Sequence, residues 1–319
     1  MADLPVTFAA SVAALALLAG GAELLVRGAS ALALRVGISA LGVGLTVVAF
    51  GTSAPELVVS LSAALRDAGD IAVGNVVGSN ICNIALILGL AALFKPTAVH
   101  AKVLRLDAPL MVGVSFLAVG MLGTGGVVSR IDGALLVGAL VGYVAATLVQ
   151  ARRETLEVRK EFAEGIHPVR GRLAVSILLV VAGLAGLMAG GNLLVNSAVT
   201  LATAFGVSQA VIGLTIVAVG TSLPELATSL VAAIRGQGDI AVGNVVGSNV
   251  FNLLGILGIS ALARPLPQGD IAWTDLGVMV FLAIVLLPIA RTGSIISRLE
   301  GLFLIAFYAA YLAWLAAAQ

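Results

Sequence analysis

The chain has 319 residues, of which 60% are hydrophobic and 10% are charged, and its formal net charge is +1. A soluble domain carries about 25% charged residues, so this composition excludes a water-soluble globular protein, and the near-neutral charge gives no indication of nucleic-acid binding. Cys82 is the only cysteine, which excludes an intrachain disulfide. The apolar runs approach or exceed the length of about 20 residues that a membrane-spanning helix needs, so we predict an integral membrane protein.

Taken in chain order, the apolar runs predict ten membrane-spanning helices. They fall near residues 4–26, 36–65, 71–93, 103–123, 130–150, 172–195, 206–234, 240–262, 272–290 and 297–316. The first run is preceded by Asp3 rather than by a basic segment, so we interpret it as a retained helix and not as a signal peptide. The predicted fold class is therefore an all-α membrane protein.

The chain contains an internal repeat. A shift of 169 positions aligns residues 37–93 with 206–262 without a gap, and about 36 of these 57 positions are identical. The run GDIAVGNVVGSN occurs twice unchanged, at 69–80 and 238–249. Each half supplies five predicted helices, and because five is an odd number the second half must enter the membrane from the opposite face.

The predicted organisation is therefore two inverted five-helix repeats, with interrupted helices at the membrane midplane, a plan shared by many secondary transporters. Residues 1–150 form the first repeat, 151–171 form a cytoplasmic linker, and 172–319 form the second, inverted repeat. Glu23 lies four residues before Arg27 near the end of the first helix, and we expect the two to form an ion pair.

Lysine and arginine are distributed unevenly between the loops. The loops that follow odd-numbered helices carry about 14 of the 17 basic residues, and the loops that follow even-numbered helices carry about 3. Cytoplasmic loops are enriched in Lys and Arg. We therefore predict that the odd-numbered loops are cytoplasmic and that both termini are extracytoplasmic.

Two acidic residues lie well inside predicted membrane spans. Glu56 ends the run GTSAPE, and Glu225 ends its repeat mate GTSLPE. We refer to these two runs as the signature runs. A carboxylate at bilayer depth is costly unless it faces a partner or a water-filled cavity. No basic residue is predicted at a matching depth, since His100 and His167 both lie in loops. A bound cation or a proton remains as the compensating charge, and inverted symmetry brings the two glutamates face to face.

The residues near both glutamates supply oxygen ligands. Each proline displaces the carbonyl one turn back, and the neighbouring runs GNVVGSNICN and GNVVGSNVFN add Asn and Ser oxygens. Hydroxyls come from both signature runs: Thr52, Ser53, Thr221 and Ser222. An oxygen set without a His or Cys cluster suits Ca²⁺, Na⁺ or Mg²⁺ rather than zinc or copper, and Mg²⁺ fits such a dehydrated cage poorly.

Structural roles compete with ion binding at several of these positions. Asp70 and Asp239 each precede a predicted helix and are interpreted as N-caps. Asn75 and Asn244 are interpreted either as packing residues or as support for ligands. The glycines spaced four apart in each repeat are interpreted as helix-packing positions: Gly74, Gly78, Gly243 and Gly247.

With two copies of G-T-S-x-P-E, each followed by G-N-x-x-G-S-N-x-x-N, the chain resembles the calcium/cation antiporter superfamily, and within it the prokaryotic sodium/calcium exchangers. The resemblance covers both repeats in full. It implies an antiporter in the plasma (inner) membrane of a prokaryote, with Ca²⁺ and Na⁺ as bound substrates in a lipid bilayer. It implies no enzymatic activity, no cofactor and no nucleic-acid partner.

The resemblance also implies a role for each matching residue. The implied Ca²⁺ ligands are the carboxylates and threonine hydroxyls of the signature runs: Glu56, Glu225, Thr52 and Thr221. The implied ligands of two flanking Na⁺ sites are hydroxyl and carbonyl oxygens in mirror sets: Ser53, Ser79 and the Ala49 carbonyl, and Ser222, Ser248 and the Ala218 carbonyl. Asn83 and Asn252 would approach the central position.

The coupling ion follows from two features of this resemblance. Some relatives, including potassium-dependent exchangers, carry Asp at the position of Asn252, so the asparagine argues against coupling to K⁺. Proton/calcium exchangers of the superfamily usually carry G-N-x-x-E, which is absent from this chain. We therefore favour Na⁺/Ca²⁺ exchange by alternating access, with the Gly-Gly pairs of helices 1 and 6 allowing those helices to slide as gates: Gly20, Gly21, Gly190 and Gly191.

Three other functions remain open from the sequence. A proton/calcium antiporter could use the same scaffold, and a pH gradient alone would then drive the flux. A cation channel is disfavoured because channels usually have pore symmetry about the membrane normal. A non-transporting membrane scaffold would leave two desolvated glutamates unexplained.

Overall fold

A computed structural model of the chain describes residues 4–36, 39–153, 173–204, 218–269, 271–291 and 293–317. These residues are helical almost throughout, as the apolar composition predicts. The helices in chain order are α1 (Leu4–Val36), α2 (Leu41–Thr52), α3 (Ala54–Leu65), α4 (Gly69–Phe94), α5 (Val103–Gly125), α6 (Arg130–Arg153), α7 (Leu173–Ala204), α8 (Ala218–Gly220), α9 (Leu223–Ile234), α10 (Gly238–Ala263), α11 (Trp273–Arg291) and α12 (Arg298–Ala317).

Eight helices in the described part of the chain are long and apolar enough to cross a membrane, and α2 with α3, bent by 46°, makes a possible ninth span. The prediction of an all-α membrane protein is confirmed. The predicted span at 206–234 is described only from Ala218 onward, and all but the first three residues of the predicted linker at 151–171 lie outside the described residues. The division into repeat domains at these residues therefore stays a prediction.

Short strands join the two halves of the chain. They are β1 (Thr97–Ala98), β2 (Val127–Val128), β3 (Leu266–Pro267) and β4 (Ile295–Ile296). β1 pairs antiparallel with β4, and β2 pairs antiparallel with β3. The shift of 169 positions that relates the repeats carries β1 onto β3 and β2 onto β4 to within one residue, so the two ribbons are themselves repeat mates. Two-residue strands carry no recognisable sequence pattern, so they could not be predicted from the sequence.

α4 and α10 form the centre of the molecule. In their most apolar windows 78% and 89% of the residues are buried, against 17–39% for the other spans. The two helices run antiparallel, since Gly69 at the start of α4 packs on Pro267 beyond the end of α10, and Gly238 at the start of α10 packs on Thr97 beyond the end of α4. This reciprocal packing is the arrangement that inverted repeats produce.

α1 and α7 cross antiparallel with their backbones in contact. A Cβ atom placed on Gly21 would lie 2.7 Å from the nitrogen of Leu187, and one placed on Gly183 would lie 2.5 Å from the nitrogen of Leu25. Both helices continue about ten residues past their predicted ends. The contact extends to Gly28, and neither extension contains a proline that would end the helix.

The signature runs interrupt the helices that carry them. Ser53 has φ −82° and ψ 8°, and Ser222 has φ −88° and ψ 8°, so the helical path breaks at both serines. Pro55 and Pro224 follow in the first turns of α3 and α9, where a missing N–H leaves no hydrogen bond unmade. The predicted interruption of these helices is therefore present in both halves of the described chain.

The predicted N-cap role of Asp70 and Asp239 is wrong. α4 and α10 begin two residues earlier than expected, and the cap positions are Ala68 and Gln237. The reason is that the glycines before both aspartates already have helical backbone where they pack on the loops of the opposite repeat. Both aspartates lie in the first helical turn, where the helix dipole still favours a negative side chain.

Candidate cation site

Glu56 and Glu225 are held by serines from the opposite repeat. Both glutamates are 1% exposed, and each lies in the first turn of its helix, α3 or α9. The Ser53 hydroxyl donates to Oε1 of Glu225 at 2.8 Å, and the Ser222 hydroxyl donates to Oε1 of Glu56 at 3.1 Å. The two signature runs therefore build one site.

Neither glutamate has a basic partner in the part of the chain that the structure describes. Ion pairs form elsewhere in the described chain, for example at Glu23 and at Asp67, but neither Glu56 nor Glu225 has a described Lys, Arg or His within 4.0 Å. Two carboxylates buried without a counter-charge are strongly unfavourable. The geometry is therefore suited to a positively charged substrate.

Asn75 and its repeat mate Asn244 fix the helices that carry the glutamates. Nδ2 of Asn75 donates to the backbone carbonyl of Glu56 at 3.1 Å and to the Ser60 hydroxyl at 2.9 Å. Asn244 makes the corresponding two bonds at 3.4 and 3.0 Å, and its Oδ1 accepts the Thr52 hydroxyl at 3.2 Å. These contacts favour support of the glutamate helices over simple packing.

Several buried oxygens of the predicted ligand set have no hydrogen-bond partner among the described residues. They come from both repeats: Oε2 of Glu56 and of Glu225, Oγ of Ser79 and of Ser248, Oδ1 of Asn83 and of Asn252, and Oγ1 of Thr221. Buried polar atoms normally have a partner, and every atom of this set can accept a cation. The described residues contain no cluster of three or more His, Cys, Asp or Glu side chains, so the set suits a hard cation bound mainly by neutral oxygens.

The predicted carbonyl ligands differ between the halves. The Ala49 carbonyl accepts the N–H of Ser53 at 3.0 Å and lies 3.4 Å from the Thr52 hydroxyl. In the second half the Ser222 N–H donates to Val219 at 3.1 Å rather than to Ala218. The two Na⁺ positions that the resemblance implies therefore have different backbone surroundings in this structure.

Four asparagines meet where α4 and α10 cross. Nδ2 of Asn83 donates to Oδ1 of Asn249 at 2.9 Å, and Nδ2 of Asn252 donates to Oδ1 of Asn80 at 3.0 Å. All four are 1% exposed, and Asn83 and Asn252 each begin a π-helical turn, a feature that is frequent at functional sites. Ser79 and Ser248 directly precede the inner pair, Asn80 and Asn249, and are also buried.

A cavity of about 290 Å³ reaches the site between α7 and the first turns of α3 and α9. Pro55, Pro224 and Thr221 line its inner end, and Asn192 and Asn196 line it along α7. Both asparagines lie toward the carboxyl end of α7, which is the sixth predicted span. This end leads into the predicted loop between the sixth and seventh spans. The cavity therefore lies toward the side that the distribution of basic residues predicts to be extracytoplasmic.

On the opposite side of the site, α1 is bonded to the segment that follows α9. Glu23 forms the predicted ion pair with Arg27, at 2.5 Å, and also pairs with Arg235 at the end of α9. The Ser30 hydroxyl donates to the side chain of Gln237 at 3.3 Å. These contacts tie α1 to the segment after α9 on the predicted cytoplasmic side.

Comparison with known proteins relates the repeats to one family. The family model described as sodium/calcium exchanger protein matches residues 6–149 and 175–317, nearly the whole of both halves. The putative antiporter CaxA of Alkalimonas amylolytica is 39% identical over 270 residues, covering 83% of this chain and 84% of the relative. The sodium/calcium exchanger MaX1 of Methanosarcina acetivorans is 33% identical over 299 residues, covering 83% and 85%.

Solved structures show the same architecture. The sodium-calcium exchanger NCX_Mj, soaked with 2.5 mM Na⁺ and 0.1 mM Ca²⁺, matches with a TM-score of 0.83 and 31% identity, covering 97% of this chain and 98% of that chain. The fold and its apolar helices define an integral membrane transporter rather than an enzyme. The chain belongs to the sodium/calcium exchanger family. This result confirms the resemblance to cation antiporters that the two signature runs indicate.

Proposed function

We propose that the protein exchanges Na⁺ for Ca²⁺ across the membrane by alternating access, with Glu56 and Glu225 forming a shared cation site. The observation that carries the proposal is the reciprocal pair of bonds in which each buried carboxylate is held by the serine of the other repeat. Both halves contribute to this site, so sliding of α1 and α7, one helix from each half, could expose it to either side of the membrane, as alternating access requires.

The residue roles implied by the resemblance are part of this proposal. Oε2 of both glutamates, with the hydroxyls of Thr52 and Thr221, would bind Ca²⁺. Hydroxyls and carbonyls would bind Na⁺ on either side of it, in the sets Ser53, Ser79 and Ala49, and Ser222, Ser248 and Ala218. Asn83 and Asn252 would supply neutral oxygens at the centre. The unpartnered oxygens described above support these assignments, because a bound cation would satisfy them.

Charge explains why the two ions would compete. Two buried carboxylates carry two negative charges, and one Ca²⁺ or two Na⁺ ions neutralise them. Occlusion in a low-dielectric interior is costly until that charge is compensated. An unloaded site would therefore resist closing, and the flux of one ion would require the flux of the other. Exchange of more than two Na⁺ per Ca²⁺ would move net charge and respond to membrane voltage.

The proposal is tested by Ca²⁺ uptake into proteoliposomes loaded with Na⁺. Uptake should follow the outward Na⁺ gradient, and it should be unchanged when K⁺ replaces choline outside. A pH gradient applied without Na⁺ separates the proton/calcium alternative, because it would drive uptake only in that case. Single-channel currents across a planar bilayer would support a channel instead. Uptake that ignores the Na⁺ gradient would contradict the proposal.

A further inference from the structure

We propose that Asn80 and Asn249 are positioning residues that orient the amides of Asn83 and Asn252, so that the central position offers two carbonyl oxygens and no N–H group to a cation. This inference rests on the proposed function, since it deepens the description of the same site. It is carried by the direction of the hydrogen bonds between the four asparagines.

The direction of these bonds is fixed by the backbone. Nδ2 of Asn249 lies 3.4 Å from the backbone carbonyl of Asn80 and 3.5 Å from the sulfur of Met111. Nδ2 of Asn80 lies 3.5 Å from the backbone carbonyl of Asn249 and 3.9 Å from the sulfur of Met279. Carbonyl oxygens and thioether sulfurs can only accept. Asn80 and Asn249 must therefore place their NH₂ groups on these acceptors, and their Oδ1 atoms face the other way.

The amides of Asn83 and Asn252, the outer pair, then have only one orientation available. Oδ1 of Asn249 meets Asn83, and Oδ1 of Asn80 meets Asn252, at 2.9 and 3.0 Å. Because these contacts present an acceptor, the outer amides must donate through Nδ2. Their own Oδ1 atoms are left as buried acceptors without a hydrogen-bond partner among the described residues.

The orientation matters because the two ends of an amide interact oppositely with a cation. A carbonyl oxygen binds hard cations, whereas an NH₂ group carries partial positive charge and would repel them. An outer asparagine released from its partner could turn its NH₂ group toward a neighbouring glutamate or serine oxygen. The central position would then repel the cation that the glutamates attract. Asn80 and Asn249 would set ion affinity without touching the ion.

The test uses Asn249→Leu, which keeps the side-chain size but removes all three of its side-chain hydrogen bonds, and the mirror variant Asn80→Leu. Binding of Ca²⁺ and of Na⁺ to purified protein is measured by titration calorimetry. Each variant should bind both ions about tenfold more weakly, the loss expected from one hydrogen bond in a buried site. Ser115→Ala is the matched control, because its buried hydroxyl bonds only the carbonyl of Met111 in its own helix among the described residues, and it should bind as the wild type does.

The double variant Asn83→Asp/Asn249→Leu separates orientation from general damage. A carboxylate has no N–H end and needs no orientation, so the double variant should recover Ca²⁺ binding to at least wild-type affinity. Wild-type affinity in both leucine variants, or a double variant as weak as Asn249→Leu alone, would overturn the inference. Binding does not depend on the coupling ion, so the result stands apart from the flux assay: a wild type that lacks Na⁺-driven uptake would overturn the proposed function alone.

Discussion

The Ser53 hydroxyl donates to the Glu225 carboxylate across the boundary between the two repeats, over a separation of 172 positions in the chain. The mirror bond joins Ser222 to Glu56 over 166 positions. Any rearrangement that separates the two signature runs must lengthen or exchange both bonds. The pair therefore ties one signature run from each half into a single ion site.

Loss of either serine hydroxyl should weaken Na⁺ binding more than Ca²⁺ binding. Each serine is a proposed Na⁺ ligand and also a donor to a carboxylate, a bond type worth about 1.5–3 kcal/mol. Ser53→Ala and Ser222→Ala should raise the Na⁺ concentration for half-maximal exchange several-fold and leave the Ca²⁺ KM closer to that of the wild type. Equal changes for both ions, measured in proteoliposomes, would argue that the serines only stabilise the fold.

Contacts between α1 and the segment after α9 should bias the direction of access. Glu23 forms an ion pair with Arg235, and Ser30 donates to Gln237. The repeat mates of these four residues are Asn192, Val199, Arg66 and Ala68, which can form neither the ion pair nor the second hydrogen bond. Opening toward the predicted cytoplasmic side must break these bonds, and opening toward the other side breaks no equivalent pair. We therefore expect the chain to favour the state with the cavity on the extracytoplasmic side.

This bias can be measured with a cysteine probe at Asn196, which lines the cavity, in a Cys82→Ala background. Glu23→Gln should slow labelling from outside by up to about fivefold, because a partly exposed ion pair contributes up to about 1 kcal/mol. Arg27→Gln is the matched control, since it removes the neighbouring charge but leaves the contact with Arg235. Faster labelling in Glu23→Gln, or an equal effect in both variants, would contradict the bias.

The backbone contact between α1 and α7 should be sensitive to a single methyl group. Gly21→Ala places a Cβ 2.7 Å from the Leu187 nitrogen, whereas the Cβ of Gly20→Ala meets nothing within 4 Å among the described residues. We expect Gly21→Ala to lower the melting temperature and to slow transport, because the two helices must separate, and Gly20→Ala to change neither. Equal melting temperatures and equal Ca²⁺ uptake rates would contradict the close crossing.

The predicted orientation can be tested at two exposed positions. Ala98 is exposed in β1, between the third and fourth predicted spans. Thr124 is exposed in the last turn of α5, at the end of the fourth predicted span. In Cys82→Ala cells, a membrane-impermeant maleimide should label Thr124→Cys from outside and should label Ala98→Cys only after the membrane is permeabilised. The reverse pattern would place both termini in the cytoplasm.

Much of the fold can be predicted from sequence patterns that do not depend on tertiary contacts. Long apolar runs identify the helices, and the duplicated run around Asn80 and Asn249 identifies the repeat. Proline and glycine in both signature runs indicate the interruptions at Ser53 and Ser222. These features are local, so the sequence alone is sufficient to predict them.

Other features depend on contacts between distant segments and carry no local signal. The pairing of Glu23 with Arg235 joins residues 212 positions apart, and both charges could equally have faced solvent. The positioning role of Asn80 is hidden because asparagines in a small-residue run are typical of helix packing. The sequence Gly-Ser-Asn, which occurs unchanged in both repeats, could have indicated this role, because its two copies meet where α4 and α10 cross. The side of the site on which the cavity lies follows from packing, since the two repeats are too similar to predict it.

Calorimetric titration of Ca²⁺ into purified wild type, Glu56→Gln and Glu225→Gln, each with and without Na⁺, tests the shared site most directly. Removing one of two buried charges should weaken Ca²⁺ binding by about 30-fold or more, since such truncations cost about 2 kcal/mol or more. In the wild type Na⁺ should displace Ca²⁺ competitively, with the apparent Ca²⁺ affinity falling steadily as Na⁺ rises. Wild-type Ca²⁺ affinity in either glutamine variant, or Na⁺ that leaves Ca²⁺ binding unchanged, would contradict the account.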